Sequence, residues 1–196
     1  NGLEKLEQII DTLIVIPNDK LLELAPELPL HTAFKVADEI LTNAVKGIAE
    51  LVTTAGLVNL DFADIRTVMK GGGVALIGVG ESDTEERASE SVQKALENPL
   101  IDVDITNATG ALVNIAGGDS LTLNEARFIV ETVAQRLDEN ARIIWGAQIY
   151  KDLDKTIRTM VIITGVRSEQ IFGGERTISD KKKKQIEKDL GIEFVD

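Results

Sequence analysis

Between residues 73 and 166 the chain repeats one alternation, and few folds can accommodate it. Gly73 to Gly80 is apolar at almost every position, and Thr84 to Glu97 follows as an amphipathic helical pattern with Ser82 or Asp83 placed to cap it. Ala108 to Ala116 is a second apolar run. Thr122 to Leu137 is a second helical pattern, in which Thr122 at the N-cap and Glu125 three residues on make a capping box. Two further strands are predicted at Ala141 to Ile149 and Ile157 to Val166. Strand, helix, strand, helix, strand, strand predicts an α/β fold. Its mixed, mostly parallel four-stranded sheet would be covered by two helices, with the last two strands paired as an antiparallel hairpin.

Upstream the pattern is different. Residues 2–10 read as a short helix, and Thr12 to Ile16 is a continuous apolar strand stopped by Pro17-Asn18-Asp19. Leu21 to Pro29 is a proline-punctuated connector. From Thr32 to Thr53, Phe34, Ala37, Ile40, Leu41, Ala44, Val45, Ile48 and Leu51 recur at helical spacing. That leaves little room for a polar face, so this helix is expected to be buried on more than one side. Gly56 is placed to end it. Beyond Ser168 the chain is polar and lysine-rich, with Lys181-Lys182-Lys183-Lys184 and a final apolar cluster, Leu190-Gly191-Ile192-Glu193-Phe194-Val195. This reads as a flexible tether carrying a short binding motif, or as a tail without a role.

Composition excludes several functions. A net charge of −12 opposes general nucleic-acid binding, which needs a basic surface. With no cysteine there are no disulfides and no thiolate metal sites. His31 is the one histidine, so a Ser-His-Asp triad and a histidine metal cluster are excluded, and His31 reads as a surface or capping residue. No apolar run approaches the ~18 residues that span a bilayer. Gly71-Gly72-Gly73 precedes a strand and lacks a following Lys-Ser/Thr, so it reads as helix stop and strand entry, not as a phosphate cradle. Trp145, beside Ile143 and Ile144, reads as core.

The segment Asn59-Leu60-Asp61-Phe62-Ala63-Asp64 carries the clearest chemical signal. If Asp61 is the N-cap of the helix that follows, Asp64 is its N3 residue, and two carboxylates leave the same helix start. Such a pair can cap the helix. It can also present two negative charges to a water molecule on another surface. Phe34 and Asp38, at i and i+4, share a face of the long helix. By spacing alone Phe34 is core and Asp38 its solvated neighbour. An aromatic one turn from a carboxylate could equally stack on a flat base and accept from its ring N–H groups.

Several segments together resemble FtsZ, the tubulin-like prokaryotic cell-division GTPase family. They are Asp11 to Leu22, Ala33-Phe34 to Asp38, Lys46 to Leu51, Asn59 to Asp64 and Asn107 to Ile115; the likeness runs in order over roughly residues 2–167. The Leu-Gly-Ile tail looks more archaeal than bacterial. The resemblance implies that Asp61 and Asp64, with Asn59 shaping the loop, act in trans: they orient the water that attacks the γ-phosphate of GTP held by the next subunit of a head-to-tail filament. It implies guanine contacts for Phe34 and Asp38, GTP or GDP with Mg2+ in the intact protein, and no metal ligands in this chain. Residues 186–196 would bind a membrane-adaptor protein, without direct membrane insertion or nucleic-acid binding, and the protein would work in the cytoplasm at the mid-cell division ring.

The family's phosphate-binding segment, Gly-Gly-Gly-Thr-Gly-Thr/Ser-Gly, occurs nowhere in the 196 residues. The chain is therefore expected to be the C-terminal portion of a longer protein and inactive alone, binding no nucleotide tightly. Residues 1–30 would be a remnant of the GTP-binding domain, 31–54 the central helix, 55–167 the activation domain and 168–196 the linker and tail. The remnant's strand, Leu13 to Ile16, would then lack pairing partners. The alternative is a self-contained α/β small-molecule-binding or trimeric enzyme domain in which Asp61 and Asp64 only cap a helix.

Overall fold

The computed structural model describes residues 2–16, 30–54, 56–98, 101 and 104–166. The connector predicted at Leu21 to Pro29, and the lysine-rich linker with its adaptor-binding tail, lie outside the described residues.

The chain begins with α1 (Gly2–Glu7) and β1 (Thr12–Ile14). The long helix α2 (Leu30–Thr53) leads into α3 (Phe62–Met69). Then come β2 (Gly73–Ser82), α4 (Arg87–Leu96), β3 (Gly110–Gly117), α5 (Leu123–Ala134), β4 (Arg142–Ile149) and β5 (Ile157–Val166). The five strands form one sheet in the order β1-β2-β5-β3-β4. The pairs β1–β2 and β3–β4 are parallel, and β5 runs antiparallel to both of its neighbours, β2 and β3.

The α/β mixed sheet is as expected, with three corrections. First, β4 and β5 do not form a hairpin. β5 is buried along nearly its whole length, whereas β4 opens on the exposed Arg142 and is only half-buried through Trp145. The more apolar strand takes the centre of the sheet and the less apolar one its edge. Second, β1 has a partner: Thr12, Leu13 and Ile14 pair with Gly73, Val74 and Ala75 and add a fifth strand. The Thr12 hydroxyl also donates to the Met69 carbonyl at the end of α3. Third, the helix after β2 begins at Arg87, not Thr84, without a side-chain cap. β2 runs on to Ser82, whose hydroxyl donates to Glu90 Oε2 at 2.6 Å instead of capping.

Alternation along the strands divides the core into two layers. Val113 and Ile115 of β3 join Leu76, Val161 and Ile163 under α4 and α5, where Val92, Ala95, Ile129 and Val133 are buried. Leu112 points to the other face and joins Ala75, Ile77 and Ile162 under Leu51 of α2 and Ile65 of α3. Trp145 packs half-buried against the first layer. The triple glycine closes α3 and opens β2: Gly71 and Gly73 sit at φ 68° and 59°, left-handed positions that favour glycine.

One cation ties the α4–α5 layer to the turn before β5. Arg87 Nε donates to Glu125 Oε1 at 2.7 Å, while its other nitrogens reach the Ser120 hydroxyl and carbonyl and the Lys155 carbonyl. Burial pushes the Glu125 carboxyl up, but the bonds from Arg87 and Thr122 outweigh it and hold the group below its ordinary 4.5. A carboxyl depressed in the folded state contributes stability that is present above pH 4.5 and lost as pH falls through the folded value. Arg87→Met should therefore cost about 2 kcal/mol at neutral pH, read as a lowered urea midpoint. The gap to the unaltered chain should narrow as the solution is acidified through Glu125's titration.

Candidate functional site

The loop after α2 is built from backbone geometry. Thr54 N–H still donates to the Glu50 carbonyl, and the chain then turns so that the Gly56 N–H reaches Asn59 Oδ1 at 2.7 Å. Between them Val58 makes an antiparallel bridge to Ala147, with N···O distances of 3.3 and 3.2 Å, on the outer edge of β4. Leu60 turns half-buried into the layer under α2 and α3. The loop is thereby fastened at both faces of one edge strand before it reaches the acidic pair.

Asp61 is the N-cap of α3, with φ −90° and ψ 164°. Its Oδ1 accepts the Asp64 N–H at 3.0 Å, and its own N–H points to Asp64 Oδ2 at 3.4 Å, completing a capping box. Both aspartates are exposed, and each spends one oxygen on the box. The second oxygen of each is open to a ligand, at the electropositive end of a helix whose dipole supports negative charge. Leu57 and Phe62 flank the pair with 61% and 67% of their surface exposed. Exposed apolar side chains beside paired carboxylates suit contact with another surface. The loop offers carboxylates and no cation, so it suits a water or a positively charged group, not a bare phosphate.

Phe34 and Asp38 lie within the first nine residues of α2, both exposed. Phe34, core by spacing, is 48% exposed. The expectation that α2 is buried on several sides fails at Phe34, Leu41 and Val45, which no described layer covers. Hydrophobic periodicity records that a face wants a partner, not that the partner lies in the same chain. From Asp38 to Thr53 the helix rises roughly 22 Å, so the two candidate sets sit at opposite ends of one rod. They cannot meet on one small ligand within a single chain. His31 is exposed, with Nε2 3.3 Å from the Thr32 hydroxyl. Among the described residues no three His, Cys, Asp or Glu gather as a metal site, and no helix is long and apolar enough to cross a membrane.

A further polar group escaped the sequence reading. Tyr150 Oη donates to Glu50 Oε2 at 2.6 Å across the α2–sheet joint, beside Gln148 and Asn114. The available signal was a polar residue inside each of two apolar strands, Asn114 in β3 and Gln148 in β4.

The sheet order, the rod-like helix across one face and the capped acidic loop at its end together define a tubulin-like fold. A solved structure of the GDP-form protofilaments of Bacillus thuringiensis TubZ matches with TM-score 0.66 at 14% identity, over 96% of this chain and 53% of that one, a likeness of fold alone. The FtsZ family's C-terminal domain matches residues 73–167, and over these residues the chain belongs to that family. The cell division protein FtsZ of Methanothermobacter thermautotrophicus is 58% identical over 196 residues, covering 99% of this chain and 51% of that protein. FtsZ 1 of Pyrococcus furiosus is 60% identical over 176 residues, 90% of this chain and 47% of the relative. The empty FtsZ dimer of M. jannaschii superposes with TM-score 0.82 at 59% identity, over 86% of this chain and 49% of that one. The chain thus spans about half the length of the curated relatives it matches.

Because asparagine caps a helix about as well as aspartate, substitution separates the two roles of Asp61. Asp61→Ala should lower stability by about 1 kcal/mol, whereas Asp61→Asn should stay within a few tenths. Urea unfolding of both variants reads the difference.

Proposed function

We propose that this chain is the activating portion of a filament-forming, cell-division GTPase, and that its acidic loop works on GTP held by the neighbouring subunit. One observation carries the reading. The base-contacting candidates Phe34 and Asp38 lie near the start of α2, and the carboxylates Asp61 and Asp64 follow its far end, with roughly 22 Å of helix between Asp38 and Thr53. Two half-sites so placed become one site only when copies stack head to tail.

In that arrangement the neighbour holds the nucleotide and its magnesium. This chain contributes the open oxygens of Asp61 and Asp64, which accept hydrogen bonds from a water and aim its lone pair at the γ-phosphorus. As that water adds, the bond to the bridging oxygen breaks. Positioning and charge stabilisation supply most of the rate in phosphoryl transfer, so fixed carboxylates suffice without covalent chemistry. The capping box gives the fixity: each aspartate is held by the other's backbone. Asn59 holds the loop's entry through Gly56. Leu57 and Phe62 supply apolar contact with the neighbour. Residues 186–196, outside the described structure, would engage a membrane adaptor at the division site.

Mixing with the intact Methanothermobacter FtsZ tests this. The chain alone should turn over no GTP. Added to the intact protein it should change GTP turnover and polymer mass in a concentration-dependent way. Asp61→Asn and Asp64→Asn should still perturb polymerisation yet lose any activating component, as should Asp61→Ala and Asp64→Ala. A chain without effect at any concentration would end the interface reading.

A further inference from the structure

Among the described side chains of α2, burial begins at Gly47. From Leu30 to Lys46 every side chain described is exposed except the half-exposed Thr32, while Gly47 and Leu51 are buried and Ile48 and Glu50 half-buried. It meets the sheet at β3 and β4, with Met160 of β5 beneath Gly47. From Lys46 back to Leu30 the helix runs about 25 Å. A rotation of about 5° at the anchor displaces the far tip by about 2 Å.

The anchor has two contacts on the underside of the helix and one on each flank. At Gly47 the helix backbone rests on the sheet: a Cβ there would lie 2.6 Å from Met160 Cε and 3.2 Å from Asn114 Nδ2. Asn114 Nδ2 donates to the Gly47 carbonyl at 3.3 Å. Leu51, one turn on, enters the layer with Leu112 and Ile162. These two are close to collinear with the helix axis, so its sideways position is set on the flanks, on one side by Ile48, which packs half-buried against the same layer. Glu50 lies roughly 60–100° round the helix from both. Its Oε2 accepts the Tyr150 hydroxyl at 2.6 Å.

The surroundings favour one directed chain of bonds. The phenol also lies 3.2 Å from Gln148 Oε1, and one hydrogen cannot serve two acceptors well. Gln148 Nε2 is buried without a partner. Turning that amide over lets Gln148 donate to the phenol oxygen and frees the phenol hydrogen for Glu50. Burial, then the bond to Glu50 and its charge, hold the phenol well above its ordinary 10, with Asp152 adding to this and Arg158 opposing it. The phenol thus remains a donor. Lys46 stands 3.7 Å from the other Glu50 oxygen. Beside the joint a cavity of about 100 Å³, lined by Asn43, Lys46, Glu50, Asn114 and Met160 among others, leaves room for α2 to move if it is released.

We propose that Tyr150 is a positioning residue, a latch that fixes the direction of α2 over the sheet by holding Glu50. Its consequence for hydrolysis, a constant separation between the Phe34 end and the acidic loop, rests on the trans-activation reading. The latch itself does not.

The chain has one Trp, one Tyr and no Cys, which permits a clean test in the full 196-residue protein. Glu39→Cys, at an exposed position of α2, is labelled with an energy acceptor for Trp145 in β4, and time-resolved transfer gives the distance distribution without nucleotide. Tyr150→Phe should broaden that distribution or shift its mean by about 2 Å or more. Glu50→Ala should reproduce the change, and Glu50→Gln, which keeps an acceptor oxygen, should not. In the unlabelled chain, Glu50→Gln should also lower the midpoint of the single phenol's absorbance titration towards 10. An unchanged distance distribution in both Tyr150→Phe and Glu50→Ala would overturn the latch, whatever happens to their urea midpoints. Because no GTP is involved, that failure is separate from failure of the mixing experiment.

Discussion

A single strand makes one sheet out of two. β1 with β2, and β3 with β4, are parallel pairs that share no direct bond, and β5 runs between them, antiparallel to each. Its side chains alternate between the two core layers, with Val161 and Ile163 under α4 and α5 and Met160 and Ile162 under α2 and α3. Every other contact follows from that placement. Arg87 fastens the turn that delivers β5, β4 becomes an edge strand, and that edge is where Val58 can bridge and fix the acidic loop.

The acidic loop departs little from ordinary helix-start structure. Asp61 and Asp64 satisfy amides that any helix start leaves unpaired. Their exposure, and not any strained geometry, makes them available to a second surface. Capping and chemistry are therefore compatible in one pair, with one oxygen of each carboxylate assigned to the helix and the other left over. The apolar flanks Leu57 and Phe62 are the feature that a helix cap alone leaves unexplained.

What the sequence made readable was local. The two capping boxes, Asp61 with Asp64 and Thr122 with Glu125, depend on residues three apart and stand where the spacing puts them. The strand at Ile157–Val166 has the predicted bounds, but its neighbours do not follow from its own residues. Sequential apolar strands suggest a hairpin, and only comparison of burial between β4 and β5 shows which of them takes the centre. The α2 pattern failed differently, since a uniformly apolar helix cannot say which chain will cover it. The Tyr150–Glu50 bond joins residues 100 positions apart and left no periodic trace.

The position of β5 also governs when the fold can exist. Its pairs with β2 join residues roughly 75 to 90 positions apart, from Ser82 with Ile157 to Val74 with Val166. Such distant pairing slows folding, because loop entropy is lost before the contacts that compensate it are made. During synthesis the two parallel pairs must wait, unjoined, for the last strand to emerge. The acidic loop, bridged through Val58 to Ala147 at the edge of the sheet, then acquires its fixed geometry only when the domain is nearly finished.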